Sequence, residues 1–407
     1  MIKAYSRKPN ANKITIIAMT IVLSLFCVVT PMQTFSANNE IVEISEDLSS
    51  TIIEEIDNID FSGLNSVIAE FNETNTNLFS IDNIKSKLYS VISGENAINY
   101  KSFIASLLSM IIGQVVRFLP LLSLIIAIGV ISNLLNGVKS KFNEKSTSGL
   151  IHLVCFLAVA IICIGLITNL TSITTASINK MTTQMNVLFP ILLTLMTALG
   201  AKLSVGVYQP IVAIISTYIG DFFKFLILPM FTFSFIISII SNFNDNVKLD
   251  KLNGFISSLF KWCIGLVFTL FFAIFTIQGI SAGSFDSLSI RTTKYTIRSY
   301  VPLVGGYLSD GMDIILSSTM LIKNAVGLVG LLLIINTIIS PIIQIAIFSL
   351  LLKLVSAILQ PMGNSKTSNF LMSVSKCVTM LSTCLIVISF MYLISVGLIM
   401  TTSNVVI

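Results

Sequence analysis

Asp221 and Lys224 stand three residues apart inside a long apolar stretch, a spacing that puts both on one helical face and lets them pair. They also mark the boundary between two apolar runs, so a solvated hairpin accounts for them equally well. Asp310 and Asp313 repeat the spacing within the stretch Gly283–Asn324, which also holds Asp286, Arg291, Lys294, Arg298 and Lys323. After residue 100 the chain has only seven acidic side chains, and three are in this stretch. Charge is costly inside a bilayer, so such a block is either a solvated loop or a working surface. Pro302 followed by Gly305 and Gly306 gives a flexible break before 307–322. If that segment is helical, Asp310 and Asp313 share a face and can be turned into a cavity; a plain cytoplasmic loop is the competing reading.

Enzyme chemistry has little to work with. His152 is the single histidine, and the six cysteines (27, 155, 163, 263, 377, 384) all fall in apolar runs without CxxC spacing. No HExxH or GxSxG motif, phosphate loop or basic nucleic-acid signature is present. The expectation is no catalytic residues, no cofactor and no metal.

These residues must be positioned by membrane helices. The 407 residues are 54% hydrophobic and 11% charged, with a mean hydropathy of +0.93, against about 25% charged in soluble domains. The fold class is all-α, a polytopic helical membrane protein. Charge is distributed unevenly: residues 38–100 hold twelve acids and two bases, whereas residues 101–407 hold eighteen bases and seven acids. Residues 1–36 read as a secretory signal, cleaved or kept as an anchor, with Lys3, Arg7, Lys8 and Lys13 ahead of the apolar run 14–29. Residues 38–100 then form a short exported, extracytoplasmic segment of amphipathic helices. Ile52, Ile53, Ile56 and Ile59 share one face, Leu64, Val67, Ile68 and Phe71 another, and Ile84 and Leu88 a third.

The membrane domain, 101–407, is expected to have about seven spans: 104–135, 150–170, 187–219, 222–241, 259–281, 324–358 and 371–400. Pro120, Pro190, Pro229 and Pro341 kink or break these runs. Seven spans place 136–149 and the Arg291–Lys294–Arg298 cluster in the cytoplasm, in line with the positive-inside rule, and leave the Ser/Thr-rich loop 171–186 outside. On this reading Ser284–Tyr300 is a cytoplasmic contact surface. A faint internal repeat, offset by 112, pairs Pro190 with Pro302 and Pro229 with Pro341.

The block GSFDSLSIRTTKYTIRSYVPLVGGYLSDGMDIILSSTMLIKNAVG, with the order signal, acidic exported segment and repeated spans, resembles the stage III sporulation protein AE family of endospore-forming bacteria. The resemblance implies a multi-pass component of the mother-cell membrane around the forespore, within a secretion-like complex that joins the two cells. It implies a permease- or channel-like, non-enzymatic subunit. Its partners would be other membrane proteins of the sporulation operon, a cytoplasmic secretion-type ATPase and a forespore membrane protein. An autonomous secondary transporter of a small solute, or a membrane scaffold for other subunits, are the alternatives. The family offers no agreed catalytic residues to carry over.

Overall fold

The computed structural model describes residues 46–72, 84–92, 100–139, 145–243, 249–301 and 304–402. The signal at 1–36 and Pro302 lie outside the described residues. Two compact units divide the chain at Ser50/Thr51, and the described part of the first is only the start of one helix. The second unit, 51–407, holds all that follows.

Among the described residues every regular element is helical. Three short helices come first: α1 (Glu46–Asn58), α2 (Ser62–Asn72) and α3 (Ile84–Ile92). Ile52, Ile56, Leu64, Val67, Ile68, Ile84 and Leu88 are buried, as the periodicity predicts, whereas Ile53 faces out. The Asp60 carboxylate accepts the Ser62 N–H at 2.9 Å where α2 starts, and bonds from the Ser62 hydroxyl and then its N–H hold the carboxyl below its usual pKa. The long helices follow: α4 (Tyr100–Lys139), α5 (Lys145–Ala198), α6 (Lys202–Ile214), α7 (Gly220–Phe222), α8 (Leu228–Phe243), α9 (Asp250–Tyr300), α10 (Gly305–Leu359) and α11 (Ser365–Thr401). Two π-helical turns, Ile215–Ile219 and Phe223–Ile227, join α6, α7 and α8 into one rod.

Six helical stretches among the described residues are long and apolar enough to cross a membrane: Phe103–Leu134, Leu153–Ala198, Lys202–Phe243, Asp250–Ile274, Gly305–Leu359 and Ser365–Thr401. The division differs from the sequence reading in the 150–243 region. The stretch 171–186, expected to be a loop, is continuous helix within α5, with Thr174, Ser177 and Gln184 buried. The break comes at 199–201, where Gly200 turns with φ +79°. Lys202 and Pro210, within the run 187–219 expected as one span, lie in α6. Pro190 lies inside α5, Pro341 inside α10, and Pro229 inside the rod formed by α6, α7 and α8.

Side-chain pairs fix the register of the bundle. At one end Phe156 meets Phe370 and Phe243, with ring centroids 5.1 and 6.1 Å apart, and Asn253 bonds Ser234 and Ser238. At the other end Tyr208 bonds Thr402 at 2.9 Å, and the buried Lys323 donates to the Thr402 carbonyl at 2.7 Å, closing the end of α11. α10 is the most enclosed span and packs on α11 through paired serines, Ser349 with Ser375 and Ser356 with Ser368. Hydroxyls that bond across helices satisfy groups that lipid cannot.

Candidate functional site

Both charge clusters picked out in the sequence form ion pairs. Lys224 Nζ lies 2.8 Å from Asp221 Oδ1, with the side chains 24% and 45% exposed. The pair occupies the short α7 segment and the second π turn. A π turn widens the helix and leaves carbonyls out of regular register, and such turns recur at functional positions. Gly220, one residue before the pair, packs against Thr182 of α5, leaving no room for a side chain. A cavity of about 340 Å³ opens beside Lys224, lined further by Leu228, Pro229, Thr232, Phe233 and Ile236.

Neighbouring helices add a polar layer at this height. Thr182 and Tyr392 hydroxyls lie 3.3 Å apart, and Gln184 Nε2 donates to Thr337 Oγ1 at 2.7 Å. Gln184, Asn336, Thr337 and Tyr392 are buried. Tyr392 lies about 24 Å along α11 from Lys376, at 1.5 Å rise per residue. Ionisable groups within membrane-spanning helices face the bundle interior or water and pair with one another.

The second cluster is a helical hairpin, not a loop. α9 runs unbroken through the charged block to Tyr300, and α10 returns from Gly305. Arg298 donates to Asp310 Oδ1 at 2.8 Å, and Lys294 pairs with Asp313 one turn further down. Gly305 lies against the backbone of Ile297 and Arg298, where a side chain would collide with main chain. Gly306 faces open space. Asp310 and Asp313 thus tie two helices together. Arg291 is exposed on α9. The tip carries Tyr295, Tyr300 and Tyr307, all more than 70% exposed.

The hairpin helix α10 also meets the amino-terminal helices. Thr319 of α10 donates to both Glu55 carboxylate oxygens of α1 at 3.2 Å, and Gly63 of α2 sits against Val187 of α5. Lys294 and Arg298, read from sequence as basic loop residues, each have an aspartate opposite them on α10.

Asp286 was not singled out as a site, yet it is 1% exposed. Its two carboxylate oxygens accept the backbone N–H groups of Leu203 and Ser204, at 3.1 and 2.9 Å, and so cap α6 from the neighbouring α9. A cap supplied from 83 residues away leaves no local signal. Among the described residues no three His, Cys, Asp or Glu side chains gather as a metal site.

The family model for stage III sporulation protein AE matches residues 83–403, most of the chain and all six spans. The chain belongs to the stage III sporulation protein AE family. The stage III sporulation protein AE of Bacillus subtilis (strain 168) is 24% identical over 320 residues, covering 79% of this chain and 80% of that protein. No solved structure matches. Both the polar layer and the charged hairpin lie within the span matched to the stage III sporulation protein AE family.

Proposed function

We propose that this chain is a non-enzymatic, permease- or channel-like subunit of a sporulation complex linking mother cell and forespore. It sits in the mother-cell membrane around the forespore. Its partners are other membrane proteins of the same operon, a cytoplasmic secretion-type ATPase and a forespore membrane protein. Membership of the family supports the sporulation role. The transport character rests on one observation, the Asp221–Lys224 pair formed across α7 and the second π turn of the membrane-spanning rod. A protein that only anchored its neighbours would have no use for charge at that depth, where it is costly to place.

The orientation follows from lysine distribution. The end carrying Lys139, Lys145, Lys251, Lys353, Lys366 and Lys376 faces the cytoplasm, and α1–α3 with the α9–α10 hairpin face the intermembrane side. The deciding experiment replaces Asp221 by Asn and Lys224 by Gln, together, at matched protein levels in sporulating cells. Removing both charges leaves no unpaired ion, so folding is preserved and a sporulation defect reports on function. Normal spore yield from the double variant overturns the permease reading.

A further inference from the structure

We propose that the seam between α5 and α10 is a hydrated site inside the membrane domain that binds small uncharged hydrogen-bonding molecules. Gln184 is 2% exposed and Gln344 4% exposed, both deep among apolar side chains. The Gln184 amide orientation is fixed by its partner. Thr337 Oγ1 donates to the Leu333 carbonyl, so it can only accept from Gln184, and the contact must be Nε2. Gln184 Oε1 is then a buried acceptor with no partner among the described residues, and Gln344 Nε2 is a buried donor in the same condition.

The backbone adds an interruption in the same helix. Pro341 has no N–H, so the Thr337 carbonyl four residues earlier lacks its helical donor. Thr337 and Gln344 are seven residues apart, two helical turns, and so lie on one face of α10. The antiparallel register set by Gln184–Thr337 and by Leu188 against Gly330 carries Thr174 and Ser177 of α5 to the level of Gln344. Both are buried, and both hydroxyls donate to their own helix, which leaves oxygen lone pairs facing outward as acceptors.

A buried polar atom left unpaired is costly, so two buried glutamine amides with an unpartnered atom along one seam call for a ligand or water. Backbone broken at membrane depth is tolerated where it lines a water-filled cavity. The groups are amides, hydroxyls and a carbonyl, with no carboxylate or ammonium among them. They match a neutral molecule that both donates and accepts, either water or a small polyol- or amide-like solute. That the seam is part of a transport path rests on the permease reading above; its hydration does not.

Thiol reactivity tests this, because only a hydrated thiol ionises and reacts. Gln344→Cys and Gln184→Cys are introduced separately into the full-length protein and reconstituted. Each is treated with a small neutral methanethiosulfonate, and the native protein serves as the baseline. Ile345→Cys, at a fully buried neighbouring position, is the dry control. Both glutamine positions should react roughly tenfold faster than Ile345→Cys or more. Slowing by excess glycerol assigns the site to solute, and insensitivity to glycerol assigns it to water. Reaction no faster than the control at both positions, in protein that remains monodisperse, overturns the proposal. Slow labelling would leave the Asp221–Lys224 test untouched, and normal sporulation in that test would leave fast labelling standing.

Discussion

Asp221 and Lys224 are partly enclosed, so each is tolerated in the membrane because the other is there. Removing one partner leaves an uncompensated charge, which costs more than removing both. Lys224→Met alone should lower the thermal stability of the purified protein by roughly 1–3 kcal/mol, and adding Asp221→Asn should recover most of that. A double variant no more stable than the single one would show that the pair is not coupled. Glu55 behaves differently because it titrates at a packed surface outside the spans. Burial raises its pKa above 4.5, and bonds from Ser318 and Thr319 pull the other way. With the docked-state pKa raised, docking of α1 gains from protonation. That contribution is complete below the ordinary glutamate pKa and is lost as pH rises through the elevated one. Protease cleavage in α1–α3 should therefore increase as pH rises through that window, and Glu55→Gln should flatten the dependence. An unchanged pH profile in Glu55→Gln would place the titration elsewhere.

At the scale of elements, α6 depends on a residue of α9. Asp286→Ala leaves the Leu203 and Ser204 N–H groups facing an apolar side chain and should destabilise by about 1–2 kcal/mol. Asp286→Asn keeps one acceptor oxygen and should lose less. Equal losses for the two, measured by thermal denaturation, would show that the carboxylate charge and not the cap is what α6 requires. The Gly200 turn before α6 needs a positive φ, and no side chain relieves that need. Pro210 lies within α6, eight residues after Lys202, and the chain has already reversed at Gly200. The Ser/Thr-rich stretch 171–186 looked like loop because of its composition. Each hydroxyl there that bonds its own helix carbonyl is compatible with α5, as Thr171, Thr174 and Thr175 show.

For the whole molecule, the membrane orientation is the property most open to test. Cysteines placed at Asn65, in α2, and Ser289, in α9, should label with an impermeant maleimide from the same side. One at Lys251, at the start of α9, should label from the other. Labelling of Ser289 and Lys251 from one side would contradict the bundle register. A further cysteine at Thr401, at the end of α11, distinguishes an even from an odd number of crossings by the side from which it labels.

The sequence by itself determined that this is an all-α membrane protein, that enzyme chemistry has no visible residues, and that the Asp221–Lys224 spacing allows a pair. Composition, run length and i,i+3 geometry are local properties, and they survive folding unchanged. It also carried the family resemblance, through the block ending at Gly327. Only the tertiary structure decided where the charged block lies, because Lys294 and Arg298 are answered by Asp313 and Asp310 on a different helix. It likewise decided that Asp286 caps α6 and that Gln184 meets Thr337, contacts across 83 and 153 residues of chain. Residue periodicity specifies which face of a helix is buried. Which helix lies against that face is set by the packing of the whole bundle, and the polar seam exists only there.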